Sequence, residues 1–187
     1  RMKKAYEGGA VALTIDLDSA GRAARATKGQ TVEPKTPAQL KELVKASPLP
    51  LFFKGIMTVD EAKLCLEAGA AGIVVSNHGG RTLADTAGTA AVLPRIADAI
   101  NGKCMILVDG TVARGTDILK YRALGADACL AGRHFVRGAH GGLADGVALF
   151  ANRLKSELQV AMILTGAKDL AAVDRTRIRI PEETMRG

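Results

Sequence analysis

The sequence predicts an α/β protein built on a parallel sheet or barrel, and three observations carry that prediction. Five short runs are nearly continuous in apolar residues, as strands buried on both faces are. Segments with helical period lie between them. A Gly-Ala pair recurs at the joints that lead into strands, at Gly9-Ala10, Gly69-Ala70 and Gly125-Ala126. Such alternation is how a chain of βα units reads. A doubly wound sheet would favour a GxGxxG first turn, which the chain lacks.

Strands are expected over residues 11–16, 51–54, 72–76, 105–109 and 128–131, and helices near 36–46, 58–68, 89–100 and 115–124. The helix after the second strand carries a capping box. Thr58 can accept from the backbone N–H of Glu61, whose carboxylate reaches back to the N–H of Thr58. Gly69 and Gly125 supply helix stops. The loop over residues 17–35 is long, polar and rich in Thr, Gly and Lys, and in a fold of short connections it reads as a mobile lid or a partly disordered segment. A long helix is expected over 141–165, with Val147, Leu149, Phe150, Leu154, Leu158, Ala161 and Met162 on its packing face. From Arg175 to Gly187 charge alternates with isoleucine, which reads as an exposed carboxyl-terminal tail.

Composition narrows the function. With 187 residues, 48% hydrophobic and 24% charged, the chain has the make-up of a globular domain rather than a disordered one. No run approaches the roughly eighteen apolar residues of a membrane-spanning helix, so no span is expected. The start, Arg1-Met2-Lys3-Lys4, has no apolar segment behind it and does not read as a signal peptide. An Arg at position 1 reads as numbering that begins inside a longer chain. Cys65, Cys104 and Cys129 are odd in number and far apart, without CxxC spacing or paired histidines, so neither disulfides nor a metal site is expected. Free thiols fit the reducing cytoplasm. The 26 basic against 19 acidic residues give a formal charge of +7, but four Phe, two Tyr and no Trp make a poor base-stacking surface. Nucleic acid is therefore disfavoured, and the excess charge suits small anionic ligands.

The chemistry gathers at the carboxyl ends of the strands: Asp16, Lys54, Ser76-Asn77-His78, Asp109-Gly110 and Gly132-Arg133. In a β/α barrel that rim carries the active site. One strand-end Asp or Lys alone is more often a structural ion pair. Two carboxylates, a lysine, a histidine and an arginine at one rim are harder to explain by packing. In Ser76-Asn77-His78-Gly79-Gly80-Arg81 an imidazole suited to taking a proton stands three residues before a guanidinium able to grip a carboxylate. The competing reading is a hydrogen-bonded histidine in a polar loop. His134 and His140 read as helix-terminal or surface residues.

On these residues, together with Thr14-Ile15-Asp16, Phe53-Lys54-Gly55, Leu107-Val108-Asp109-Gly110 and the helix from Glu157 to Gly166, the chain resembles the carboxyl-terminal half of the FMN-dependent 2-hydroxy-acid oxidases and dehydrogenases. That family includes the glycolate and lactate oxidases and the flavocytochrome lactate dehydrogenases. The resemblance implies one FMN-binding TIM (β/α)8 barrel. This chain, residues 1–187, would form its fourth to eighth strands, and the amino-terminal half would be supplied elsewhere. It further implies a homo-oligomer that oxidises a small 2-hydroxy acid. His78 would be the base, Asp16 would stabilise its imidazolium, and Arg81, with Arg22, would bind the substrate carboxylate. Lys54, Thr14 and Ser76 would meet the flavin ring, and Asp109 the ribityl chain. Gly110, Arg114, Gly132 and Arg133 would take the phosphate. The chain departs from the family pattern at Ala23, Thr82 and His134, and at Thr111-Val112-Ala113, where the family has Gly, an apolar residue and Arg. Two alternatives follow: another FMN barrel of the isomerase type, or a degenerate barrel that binds FMN or phosphate without turnover.

Overall fold

The computed structural model describes residues 1–18 and 33–185. Five strands form one sheet, with β1 at Leu13–Asp16, β2 at Leu51–Ile56, β3 at Gly72–Val75, β4 at Met105–Val108 and β5 at Ala128–Cys129. Every neighbouring pair is parallel and the spatial order is the chain order. A doubly wound sheet would reverse direction at a switch point, whereas this order is an arc of a barrel.

Helices α1 (Met2–Glu7), α2 (Pro37–Ala46), α3 (Val59–Glu67), α4 (Thr89–Ile100) and α5 (Gly115–Ala123) precede or connect the strands. Both Thr36 and Thr58 close full capping boxes, with Gln39 and Glu61 as the reciprocal partners. Side chains of β2 alternate. Phe53 and Ile56 enter the core shared with Ala62 and Cys65 of α3 and with Leu93, Ile96 and Ile100 of α4. Phe52 and Lys54 take the opposite, inner face, where the Phe52 ring covers Gly72. Around Gly55 the register of β2 against β3 shifts, a bulge directly after Lys54.

The last strand is two residues long rather than four. Beyond it, α6 (Arg133–Leu164) starts eight residues before the expected position 141 and breaks at Gly142–Leu143. Its two arms fold together, with Phe135 edge-on to Phe150 at 4.8 Å and His134 stacked on Phe150 at 5.7 Å. Leu119 and Ala123 of α5 pack with Ala161, Ala167 and Val173.

The expected exposed tail from residue 175 is corrected. Arg175 grips the Asp98 carboxylate at 2.7 and 3.0 Å and donates to the Pro94 carbonyl at 3.0 Å. Ile178 and Ile180 pack on the main core, and α7 (Glu182–Met185) lies beside α4. Alternating charge and isoleucine served as two-sided packing: the isoleucines leave water while the arginine pairs. The loop expected over residues 17–35 lies mostly outside the described residues. Among the described residues no helix is long and apolar enough to cross a membrane.

Candidate functional site

Parallel pairing in register sets Asp16 of β1 beside Lys54 of β2. Lys54 Nζ stands 3.4 Å from Asp16 Oδ1, 3.6 Å from Asp109 Oδ2 and 3.3 Å from His78 Nε2. The ends of β1 and β4 and the turn after β3 thus converge on one ammonium from β2. Asp109 Oδ2 also accepts from Ser76 Oγ at 2.7 Å, and Ser76 Oγ accepts from the His78 N–H at 3.2 Å. The segment after β4 is tied from behind. Thr89 Oγ1 donates to the Asp109 carbonyl at 2.6 Å, and the buried Tyr121 hydroxyl donates to that of Gly110 at 2.7 Å.

His78 lies in a 3₁₀ turn, His78–Gly80, shaped by Asn77, whose Oδ1 accepts from the Gly79 N–H at 2.9 Å. The turn holds His78 at φ 54°, and Thr111, which lines the same cavity, has the same φ. Left-handed backbone without glycine costs roughly 1–3 kcal/mol and collects at functional sites. The imidazole is only 10% exposed. Its Nδ1 is hydrogen-bonded to Asp18 Oδ2, and its Nε2 stands 3.8 Å from Asp16 Oδ2. Arg81 folds back so that its Nε donates to the His78 carbonyl at 2.9 Å.

These groups open on a cavity of about 260 Å³. Lys54, His78, Arg81, Asp109, Gly110, Gly132 and Arg133 all line it. Arg133 stands at the start of α6, with one guanidinium nitrogen 3.5 Å from Thr111 Oγ1. Asp109 Oδ1 is buried without a hydrogen-bond partner. Asp16 and Ser76 reach the site through Lys54, His78 and Asp109, not along the cavity wall. Thr14 is exposed, two residues before Asp16 on the same face of β1. Arg114 does not line the cavity; it precedes α5, its backbone N–H donating to Asp117 at 2.9 Å. Arg22 and Ala23 lie outside the described residues.

Sequence reasoning missed three residues. His134, expected at a helix end or surface, lines the cavity from the first turn of α6. Thr111 was marked as a departure, but its left-handed backbone was not foreseen. Asp18 was hidden in the loop, although it lies two residues past Asp16 and the pairing continues that far: the Leu17 N–H donates to the Lys54 carbonyl at 2.8 Å. Ligand atoms of Asp16, Asp18 and His78 all lie within 4.8 Å of one another, a spacing open to a cation. The Lys54 ammonium, beside Asp16 and His78, already supplies positive charge there. The thiols lie apart from this chemistry. Burial pushes Cys65 up to about 12 and Cys129 to about 11, with nearby carboxylates Glu61 and Asp117 adding to the rise.

Comparison with known proteins places this geometry. A family model described as FMN-dependent dehydrogenase matches residues 2–180. A 2-hydroxyacid oxidase of Dictyostelium discoideum is 44% identical over 139 residues, covering 74% of this chain and 36% of that protein. An L-lactate oxidase of Lactobacillus jensenii is 42% identical over 154 residues, covering 82% of this chain and 37% of that one. A solved mandelate oxidase variant carrying an FMN adduct superposes with a TM-score of 0.84 at 36% identity, covering 93% of this chain and 56% of the other. The fold is therefore part of the TIM barrel of such oxidases. The chain spans little more than a third of the length of these curated relatives.

Proposed function

As the chain belongs to the FMN-dependent dehydrogenase family, we propose that it forms the carboxyl-terminal, catalytic part of a flavoenzyme that oxidises an L-2-hydroxy acid to the 2-oxo acid. The observation that carries this reading is the meeting of Lys54, His78 and Asp16 at 3.3 to 3.8 Å on a rim that also presents Arg81 and Arg133 to one cavity.

The residues present fit FMN. The orphaned Asp109 Oδ1 is an acceptor for a ribityl hydroxyl. Arg133, with the first-turn N–H groups of α6, suits a phosphate. Lys54 would stabilise negative charge on a flavin ring, with Thr14 and Ser76 as its polar neighbours. At about 260 Å³ the cavity is below the ~300–1,000 Å³ of small-molecule sites, so the amino-terminal half of the barrel would complete it. That half is the first partner. A homo-oligomer of the whole barrel is the second, and three free thiols suit a reducing compartment such as the cytoplasm.

Oxidation removes two electrons and two protons from the substrate. His78 Nε2 takes one of these protons, from the hydroxy-bearing carbon or from its hydroxyl, and Asp16 at 3.8 Å favours the imidazolium that results. Arg81 holds the substrate carboxylate. FMN, when bound, would supply the acceptor for the electron pair and for the second proton. The test is the absorption spectrum of the full holoprotein before and after anaerobic addition of lactate, glycolate or a longer 2-hydroxy acid. Bleaching of the yellow flavin with one of them is the expected result. A yellow protein that bleaches with none would leave a barrel that binds FMN without turnover.

A further inference from the structure

The geometry points to Asp18, rather than Asp16, as the residue that orients His78. It does so by accepting the Nδ1 proton, and it thereby leaves the Nε2 lone pair as the proton acceptor of the site. This positioning role deepens the functional reading above and rests on His78 being the base.

Two carboxylates from β1 and its extension bracket the ring from opposite nitrogens. Asp18 meets Nδ1 directly, whereas Asp16 stands 3.8 Å from Nε2 and pairs with Lys54 at 3.4 Å. Their surroundings differ in the same sense. The Asp18 side chain is 15% exposed and that of Asp16 is 38%, so the Asp18 contact works against less solvent screening. Lys54 settles which nitrogen carries the proton. Its ammonium has only donors, so at 3.3 Å from Nε2 it requires a lone pair there. A neutral ring that meets both neighbours bears its hydrogen on Nδ1, donated to Asp18. Among the described residues, the remaining charged groups near the ring are Asp109, beyond Lys54, Arg81 in its own turn, and Arg133 on the far side of Gly79.

A second feature shows that Asp18 has a built place. Residue 55 is a glycine at φ 98°, and a Cβ there would fall 2.4 Å from Asp18 Cγ and 2.6 Å from its Oδ1. The carboxylate lies directly on the glycine of the β2 bulge. No other residue type leaves that space, and few adopt that backbone. Asp18 Oδ1 is buried with no hydrogen-bond partner, so the carboxylate spends its described hydrogen bonding on His78 alone. Such an outer partner sets tautomer and ring orientation of a functional histidine.

The test is histidine-selective ¹⁵N and proton NMR on the full chain, with His78→Gln assigning the signal among the three histidines. A downfield, slowly exchanging proton bound to His78 Nδ1 is expected. Asp18→Ala should abolish it, and Asp18→Asn, which keeps an acceptor of the same shape, should retain it shifted upfield. Asp16→Asn should leave it in place. Where Asp18→Ala fails to fold, the Asp18→Asn shift decides. In the holoenzyme, Asp18→Asn should slow flavin reduction by ~10–10²-fold with little change in substrate affinity. Absence of the Nδ1 proton in the parent, or its loss in Asp16→Asn but not in the Asp18 variants, would overturn the assignment. If the NMR results hold while His78→Gln reduces its flavin at the parental rate, the orientation stands and the catalytic reading of His78 fails.

Discussion

Lys54 Nζ stands 3.3 Å from His78 Nε2, so a cation from β2 and a proton acceptor from the turn after β3 face each other at the mouth of the sheet. The pair has a chemical consequence. The Lys54 ammonium and the His78 ring lie between the carboxylates of Asp16 and Asp18. The site is therefore balanced between charges, and single substitutions should have distinct signatures.

Replacing His78 by Gln in the holoenzyme should keep fold and flavin but lower the flavin reduction rate by ~10²–10⁴-fold, the range for loss of a general base. Substrate binding should fall much less, because Arg81 remains. Stopped-flow reduction under anaerobic conditions checks this, and a parental rate would make His78 structural.

Lys54→Met should weaken FMN retention and slow flavin reduction. It also leaves Asp16 and Asp109 without the cation they share at 3.4 and 3.6 Å. Stability should fall by about 1–2 kcal/mol, less than the ~3–5 of a fully buried pair because Asp16 keeps solvent contact. Ultrafiltration of released flavin and urea unfolding read the two effects separately.

Gly55→Ala should be among the costlier small substitutions. The new methyl falls 2.4 Å from the Asp18 carboxyl carbon at a backbone angle of φ 98°. A loss of roughly 1–3 kcal/mol is expected from backbone strain, with displacement of Asp18 from His78. A urea midpoint equal to the parent's would show that the bulge yields freely.

Thr111→Gly should stabilise the protein by about 0.5–1 kcal/mol. A β-branched residue at φ 54° carries strain that glycine relieves, and glycine's greater freedom in the unfolded chain offsets part of the gain. The hydrogen bond that Thr111 Oγ1 accepts from Arg133 is long and weak at 3.5 Å, so removing the hydroxyl costs little. Unfolding midpoints with an unchanged denaturant slope provide the check.

Alkaline pH should destabilise the fold through its thiols. Burial holds Cys65 at about 12 and Cys129 at about 11, above the ordinary 9.0, so the unfolded chain loses these protons first. Their contribution is complete below pH 9.0 and is lost as pH rises through the folded values. Stability measured between pH 9.0 and 11 should fall, and Cys129→Ala should flatten the decline. An identical slope in that variant would place the alkaline loss elsewhere.

Much of this protein is determined by its sequence alone. Apolar runs and helical periods located all five strands and the helices between them, because period and capping act between residues a few positions apart. The strand-end rule brought Lys54, His78, Arg81, Asp109 and Arg133 to one rim, since parallel strands deliver their last side chains in one direction. What tertiary structure decided was which of those groups touch. Asp18 reaches His78 across sixty residues of chain only because β1 pairs in register with β2 and the bulge at Gly55 clears a space for its carboxylate. Neither condition leaves a local pattern. The folding back of residues 175–180 onto Asp98 and the core was equally hidden, because an arginine's partner and an isoleucine's cover lie on helices distant in the chain. Local periodicity encodes the elements; contacts at 3 Å between distant residues depend on register, which exists only once the sheet has formed.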